Sequence, residues 1–294
     1  MVSVSTLAPT LSIRPEVLTP GQAANSVLCL ELAPQRLRVT LLDAQRRMVW
    51  LDEYAQPSLL TEQSLLTHLP ALFKEHPLLT YDEFQDVRVS VLSPAFTLIP
   101  ASLYRKEYAS SYLTLMRGHQ QPPNELAHAF EHKEGFVSVF GIDRELTEFM
   151  GEQYPMQPFT YVHQLTTLIQ ATRAIDRQLT TLQNVFLYFE DDYVSMLFRD
   201  EKQLRYCNRF GYKNAQDLTY YVLYVLDELG VDPETVNTFV YGEITPFADS
   251  YVSLSRFVPT IRIGQLPPGL NPSPELEELP EHRYLGLQGL CLLG

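Results

Sequence analysis

The sequence predicts a duplicated α/β fold of two lobes, each holding a three-strand meander, a helix and a closing strand. Three observations carry this. Trios of hairpin-connected, strand-like runs occur twice along the 294 residues. Each trio is followed by a helical pattern and then by one more apolar run. The first strand recurs from residue 27 to residue 184, and the closing strand from residue 86 to residue 237. That spacing is too long for a short-repeat array and suits two similar lobes.

The elements follow in order. Residues 1–25 are rich in Pro, Ser and Thr and read as an N-terminal tail with one short strand at 10–13. VLCLEL (27–32), LRVTLLD (37–43) and MVWLDEYA (48–55) are β-branched and apolar, with hairpin-short turns between them. Thr61 is placed to cap a helix whose Leu65, Leu66, Leu69 and Phe73 share one face, with a kink or late start at Pro70. DVRVSVLS (86–93) reads as a strand covered on both faces. Residues 95–183 then hold a helix near 101–115, a loop at GHQQPPNE, strands near 127–130 and 136–140, and two helices. The last of these, HQLTTLIQATRAIDRQLT, bridges the lobes.

NVFLYFE (184–190), YVSMLFRD (193–200) and QLRYCNRFGY (203–212) repeat the meander. The most strongly patterned helix follows at 214–229, capped by Asn214 and ended by Gly230 and Asp232-Pro233. Leu218, Tyr221, Val222, Val225 and Leu229 form one stripe, and Tyr220, Leu223, Tyr224 and Leu226 widen it nearly around the helix, which predicts burial on most sides. NTFVYGEI (237–244) closes the unit. YVSLSRFV (251–258) begins a further helix or strand, LPPGLNPSPELEELPEH (266–282) reads as a solvated acidic linker, and the apolar YLGLQGLCLLG (284–294) is expected to tuck into a lobe. The expected domains are the tail at 1–25, a first lobe with an insertion at 26–160, and a second lobe at 161–294.

Charge and cysteine usage exclude several functions. Lys and Arg number 22 against 35 Asp and Glu, a net charge of −13. Such a surface repels phosphate backbones and anionic lipid. The densest basic clusters are the pairs Arg46-Arg47 and Arg105-Lys106, so neither nucleic acid nor a membrane is an expected partner. Cys29, Cys207 and Cys291 are too scattered for a disulfide framework or a zinc site and read as small apolar residues of a reducing compartment. No apolar run approaches the roughly 20 residues of a membrane span, and residues 1–22 lack the pattern of a secretory signal. A cytoplasmic location is expected.

Specific strings narrow the fold further. FTLIPASLY (96–104), NVFLYFEDDYVSMLF (184–198), NRFGYKNAQDLTYYVLYVLDELG (208–230), VYGEI (240–244) and SLSRFV (253–258) together resemble the bacterial domain of unknown function 3822 family, over nearly the whole chain from about residue 27. Two β-β-β-α-β units joined by a helix also resemble the duplicated, ribonuclease H-like fold of actin, sugar kinases and Hsp70. The resemblance implies an actin-like fold and transfers no activity, because the family has none established.

In working members of that fold, the turn between the first two strands of each lobe carries an acid and a glycine. The glycine lets backbone N–H groups reach phosphate, and the acid holds metal-bound water. Here the first turn is Leu32-Ala33-Pro34-Gln35, with neither group, and Pro34 has no N–H to donate. The second is Glu190, Asp191 and Asp192, three carboxylates and no glycine. The glycines of the nucleoside site are reduced to Gly242 in VYGEI. A terminal phosphate charge about 5 Å from one such carboxylate would be repelled by roughly 3 kcal/mol at an effective dielectric near 20.

The favoured reading is therefore a catalytically inactive actin-like adaptor or scaffold with a protein partner of unknown identity. No cofactor or metal is assigned, ATP binding is not expected, and Glu190, Asp191, Asp192 and Gly242 mark a vestigial nucleotide cleft. The alternative is a nucleotide-binding switch or phosphotransferase in which the same carboxylates hold Mg²⁺. A third reading, a metal-dependent hydrolase at His128 and His132, rests on their four-residue spacing alone. His163 reads as a polar cap. Arg209 is either a cation of the cleft or part of a strand end.

Overall fold

In the computed structural model, which describes residues 8–34, 36–55 and 62–294, the chain divides into two units. The first runs to Thr166 and adds Asn271–Glu278; the second takes Thr167–Leu270 and Leu279–Gly294.

The first unit begins with β1 (Leu11–Ile13) and α1 (Pro20–Ala24), then β2 (Val27–Ala33), β3 (Arg36–Leu42), β4 (Arg47–Ala55), α2 (Glu62–Glu75) and β5 (Asp86–Val91). β2, β3 and β4 form the expected antiparallel meander, and β5 returns parallel to β2. Alternation decides the faces. Leu28, Leu30, Leu32, Val39, Leu41, Val87 and Val89 join one core with Leu69 and Phe73 of α2. Pro70 lies inside α2, which begins at Glu62, so the helix does not start late at the proline. Its neighbours Leu69, Leu72 and Phe73 are all buried, and that burial outweighs the helix hydrogen bond that a proline removes. The proposed cap, Thr61, lies outside the described residues.

An insertion follows. β6 (Phe96–Pro100), α3 (Ala109–Arg117), β7 (Glu125–His132) and β8 (Phe136–Asp143) form a small sheet, ordered β6-β8-β7, with α3 packed on it around Leu113, Val137 and Val139. The helix expected from residue 101 starts only at Ala109, because residues 96–100 form an edge strand and turns lead from it to the helix. Next come α4 (Arg144–Gln153) and β9 (Phe159–His163), a strand the sequence did not suggest. β9 pairs parallel with β5 and completes the order β1-β4-β3-β2-β5-β9.

The second unit contains most of α5 (Gln164–Asp176), then β10 (Gln183–Glu190), β11 (Tyr193–Asp200), β12 (Gln203–Gly211), α6 (Ala215–Glu228), β13 (Asn237–Gly242), α7 (Asp249–Ser255) and β14 (Ile261–Ile263). Its sheet is ordered β12-β11-β10-β13-β14, with β13 parallel to both neighbours. Both units thus run meander, helix, parallel strand and one further parallel strand. The Asn214 side chain accepts the Asp217 N–H at 2.9 Å, and Gly230 leaves the helix at φ +66°, the caps the sequence indicated.

Burial around α6 differs from expectation. Leu218, Val222, Val225 and Leu226 enter the core, whereas Tyr220, Tyr221 and Tyr224 face solvent, Tyr220 at 63% exposure. Tyrosine has an apolar body and a polar tip, so counting it as apolar overstated the stripe.

The C-terminal stretch also departs from the solvated linker read in it. Leu270, Ser273 and Leu276 are buried. β15 (Asn271–Pro272) pairs parallel with the start of β4, and the Ser273 N–H donates to the Met48 carbonyl at 2.9 Å. Leucines spaced among the prolines supply the anchors. With β1 on residues 51–53 and β15 on residues 47–48, the open edge of β4 is covered. α8 (Leu285–Cys291) is buried along its whole length, as expected for the apolar terminus. A Cβ on Gly289 would stand 2.0 Å from the Thr167 carbonyl oxygen, so glycine permits that close approach. Among the described residues no helix is long and apolar enough to cross a membrane.

Candidate functional site

The four residues singled out from sequence meet in one corner of the second unit. β10 and β11 pair directly from Glu190 to Tyr193, so Asp191 and Asp192 form a two-residue turn. Asp191 adopts φ +47°, a left-handed conformation that Asp tolerates better than most side chains. Both aspartates are exposed, while Glu190 is buried beneath them.

A cation joins them from two strands away. Tyr188 pairs with Ser195 and Ser195 with Arg209, which sets Arg209 on the face that carries Glu190 and Tyr193. Its guanidinium lies 4.1 Å from the centroid of the Tyr193 ring. Burial pushes Arg209 down from the ordinary guanidinium value, and the charges of Glu190, Tyr193, Tyr188 and Asp191 pull it back up. Three carboxylates against one guanidinium leave this corner at about minus two charges.

Gly242 closes the corner. It pairs with Phe189 at the end of β13 and has φ +85°. A Cβ there would stand 2.0 Å from the Phe189 carbonyl oxygen, so the absent side chain serves a contact inside the unit. The backbone donors around it are engaged as well. Gly242 N–H donates to the His282 carbonyl, Glu243 N–H to the Phe189 carbonyl and Ile244 N–H to the Gly242 carbonyl, each at 2.9 Å. Glu243 pairs with Arg283 at 3.2 Å, and the His282 ring meets the Ile244 carbonyl at 3.0 Å. Of the two readings of Arg209, a cation of the cleft or part of a strand end, it sits on β12 and faces this corner; His282 and Arg283 were not linked to it by sequence, since no local pattern joins residues 190 and 282.

In the first unit the corresponding turn is apolar. Leu32, Ala33 and Pro34 line a small apolar pocket with Val91, Ile142 and Leu146. Gln35 lies outside the described residues. Beneath this turn the row Glu31, Arg38 and Glu53 crosses the sheet, with Arg38 Nη1 2.6 Å from Glu31 Oε1 and Nη2 3.2 Å from Glu53 Oε1.

The histidines are engaged in packing. His132 bonds Ser138 Oγ at 2.6 Å and stacks on Phe136 with ring centroids 4.4 Å apart. His128 lies between Phe140 and Tyr161, and burial pushes its pKa down. Among the described residues no group of three His, Cys, Asp or Glu side chains is placed to hold a metal ion. His163 caps α5: its Nδ1 accepts the Leu165 N–H at 3.1 Å and its Nε2 meets the Ser93 carbonyl at 2.9 Å. Burial pushes the Cys207 thiol up to about 12, so it is not a poised nucleophile.

Comparisons with known proteins agree with this architecture. Residues 15–261 match the family described as Protein of unknown function (DUF3822). A crystal structure from Bacteroides thetaiotaomicron VPI-5482, of a protein with an actin-like ATPase fold and unknown function, superposes with a TM-score of 0.77 at 21% identity. The match covers 95% of this chain and 100% of that one. The PilM-PilN type IV pilus biogenesis complex contains a chain similar at a TM-score of 0.57 and 13% identity, covering 90% of this chain and 97% of that one. At these identities the likeness establishes the fold, which is actin-like. No curated protein matches the sequence.

Proposed function

We propose that this chain, which belongs to the DUF3822 family, works as a catalytically inactive actin-like adaptor or scaffold that engages a protein partner and does not turn over ATP. One observation carries the reading: the backbone N–H groups of Gly242, Glu243 and Ile244 are all engaged inside the unit. Phosphate binding on such a fold needs free, convergent N–H donors. The neighbouring hairpin offers excess negative charge in their place, and the first-unit turn offers Pro34. That a chain of similar fold is found in the PilM-PilN complex supports an assembly role for this architecture, as a property of that protein.

The test must include the metal, because Mg²⁺ could convert carboxylate repulsion into ligation. Calorimetric titration with ATP and Mg²⁺ is expected to give no binding heat. Micromolar binding that Asp191→Asn with Asp192→Asn abolishes would replace the adaptor with a nucleotide-binding switch. Micromolar binding that survives the double substitution would equally overturn the proposal, by locating nucleotide elsewhere.

A further inference from the structure

The solvent-facing side of α6 continues into a groove. Leu223 and Asp227 of α6, Val231, Pro233 and Glu234 of the loop after it, and Arg256, Phe257 and Pro259 after α7 enclose about 450 Å³. Thr219 and Ser253 hydroxyls lie 3.0 Å apart and tie the two helices side by side, so the groove opens where their C-terminal ends meet.

Its walls are aliphatic apart from Phe257, its rim carries Asp227 and Glu234, and a ladder of tyrosines lies beside it on α6. Phe257 is 51% exposed, as is Tyr224 one turn from the groove. Tyr220 stacks on Tyr224 with ring centroids 6.1 Å apart and meets Tyr221 edge to face at 5.7 Å; Tyr221 in turn stacks on Phe210 at 6.0 Å. The ladder is thus held in place before anything binds, which lowers the ordering cost of using it. Among the described residues Asp227, Glu228 and Glu234 make no ion pair, and Arg256 is the one cation lining the groove. The C-terminal end of α6 adds further negative potential.

We infer that this groove docks a cationic segment of a partner protein, with an apolar side chain against Leu223 and Phe257 and a Lys or Arg between the α6 tyrosines and the carboxylates. Charge complementarity selects this occupant. An acidic segment would meet Asp227 and Glu234 in the groove and Glu228 beside Tyr224 against Arg256 alone, whereas an Arg gains ion pairs and stacking on Tyr220 or Tyr224 together. A second copy of this chain, at net charge −13, is disfavoured by the same field. The inference rests on the adaptor reading and gives the partner its chemistry.

Random 12-residue peptides displayed on phage, selected against the full chain, test it. Enriched sequences are expected to combine Lys or Arg with Phe, Leu or Trp. The best one, made as a fluorescent peptide, should lose affinity at least about tenfold on Tyr220→Ala with Tyr224→Ala. Asp227→Asn with Glu234→Gln should weaken it several-fold and flatten its salt dependence. The substituted side chains are exposed, so both variants should keep the parental melting temperature. No enrichment, enrichment of peptides without basic residues, or affinity unmoved by either pair would overturn the docking site. Those outcomes leave the ATP titration untouched, so failure of the docking site is distinguishable from failure of the adaptor reading.

Discussion

Two arginines, one in each unit, show how the same backbone plan carries different chemistry. Arg38 on β3 and Arg199 on β11 are both fully buried on the second strand of their meanders. Arg38 is held between the carboxylates of Glu31 and Glu53. Arg199 reaches α5, with Nε 3.3 Å from Thr172 Oγ1 and Nη2 3.0 Å from the Ile169 carbonyl. The sheet row that reads Glu31, Arg38, Glu53 in the first unit reads Tyr188, Ser195, Arg209 in the second. The two units share the strand pairing and carry different side chains on it, with each buried guanidinium given its own set of acceptors.

The largest way to break this comparison is Arg38→Met. It leaves Glu31 and Glu53 buried close together without Arg38 and should cost about 3–5 kcal/mol of stability in urea unfolding. Adding Glu31→Leu and Glu53→Leu should recover most of the loss. Arg199→Met removes one donor each from the Thr172 hydroxyl and the Ile169 carbonyl, which stay bonded to one another, and should cost less, about 1–3 kcal/mol. Equal losses would show that the two burials are of the same kind.

A middle-sized test moves one unit toward the other. Gly242 pairs with Phe189 where Val91 pairs with Leu32, so the first unit tolerates a branched side chain at the matching position. Gly242→Ala combines a positive φ with a Cβ on the Phe189 carbonyl, and should cost upwards of about 2 kcal/mol by thermal unfolding. A neutral outcome would mean that the second unit can adopt the first unit's strand end.

The smallest test is a pH effect confined to the insertion. Burial holds His128 below the ordinary value of 6.5. As pH falls through 6.5 the unfolded chain takes up the proton first, so the stability that this residue contributes is complete above that pH and declines below it. His128→Gln should flatten the stability curve between pH 6.5 and 5 and leave the midpoint at pH 8 nearly unchanged.

The repeat was legible because both meanders and α6 follow strict hydrophobic periods bounded by turns and caps. β9 was missed because it is five residues long and begins directly after Pro158. β15 is only two residues, one of them proline, and exists through its pairing with β4. At the candidate site Glu190, Asp191, Asp192 and Gly242 could be named from sequence. Arg209 could be named as a candidate cation, but its place over Tyr193 could not, since that follows from strand pairing through Ser195. The reason for Gly242 was hidden too, because it is a carbonyl that approaches from another strand.

The pairing of β15 with β4 bears on the order in which a ribosome delivers the parts. The edge of β4 is complete only when residues about two hundred and twenty positions further on have emerged. β1 is already made when β4 emerges, so at roughly 5–20 residues per second only the Arg47–Met48 end of that edge stays open on the nascent chain, for on the order of 10–40 s. During that interval the backbone groups of this short stretch are available to a neighbouring strand, so the late-made segment also serves as a cover for an early-made edge.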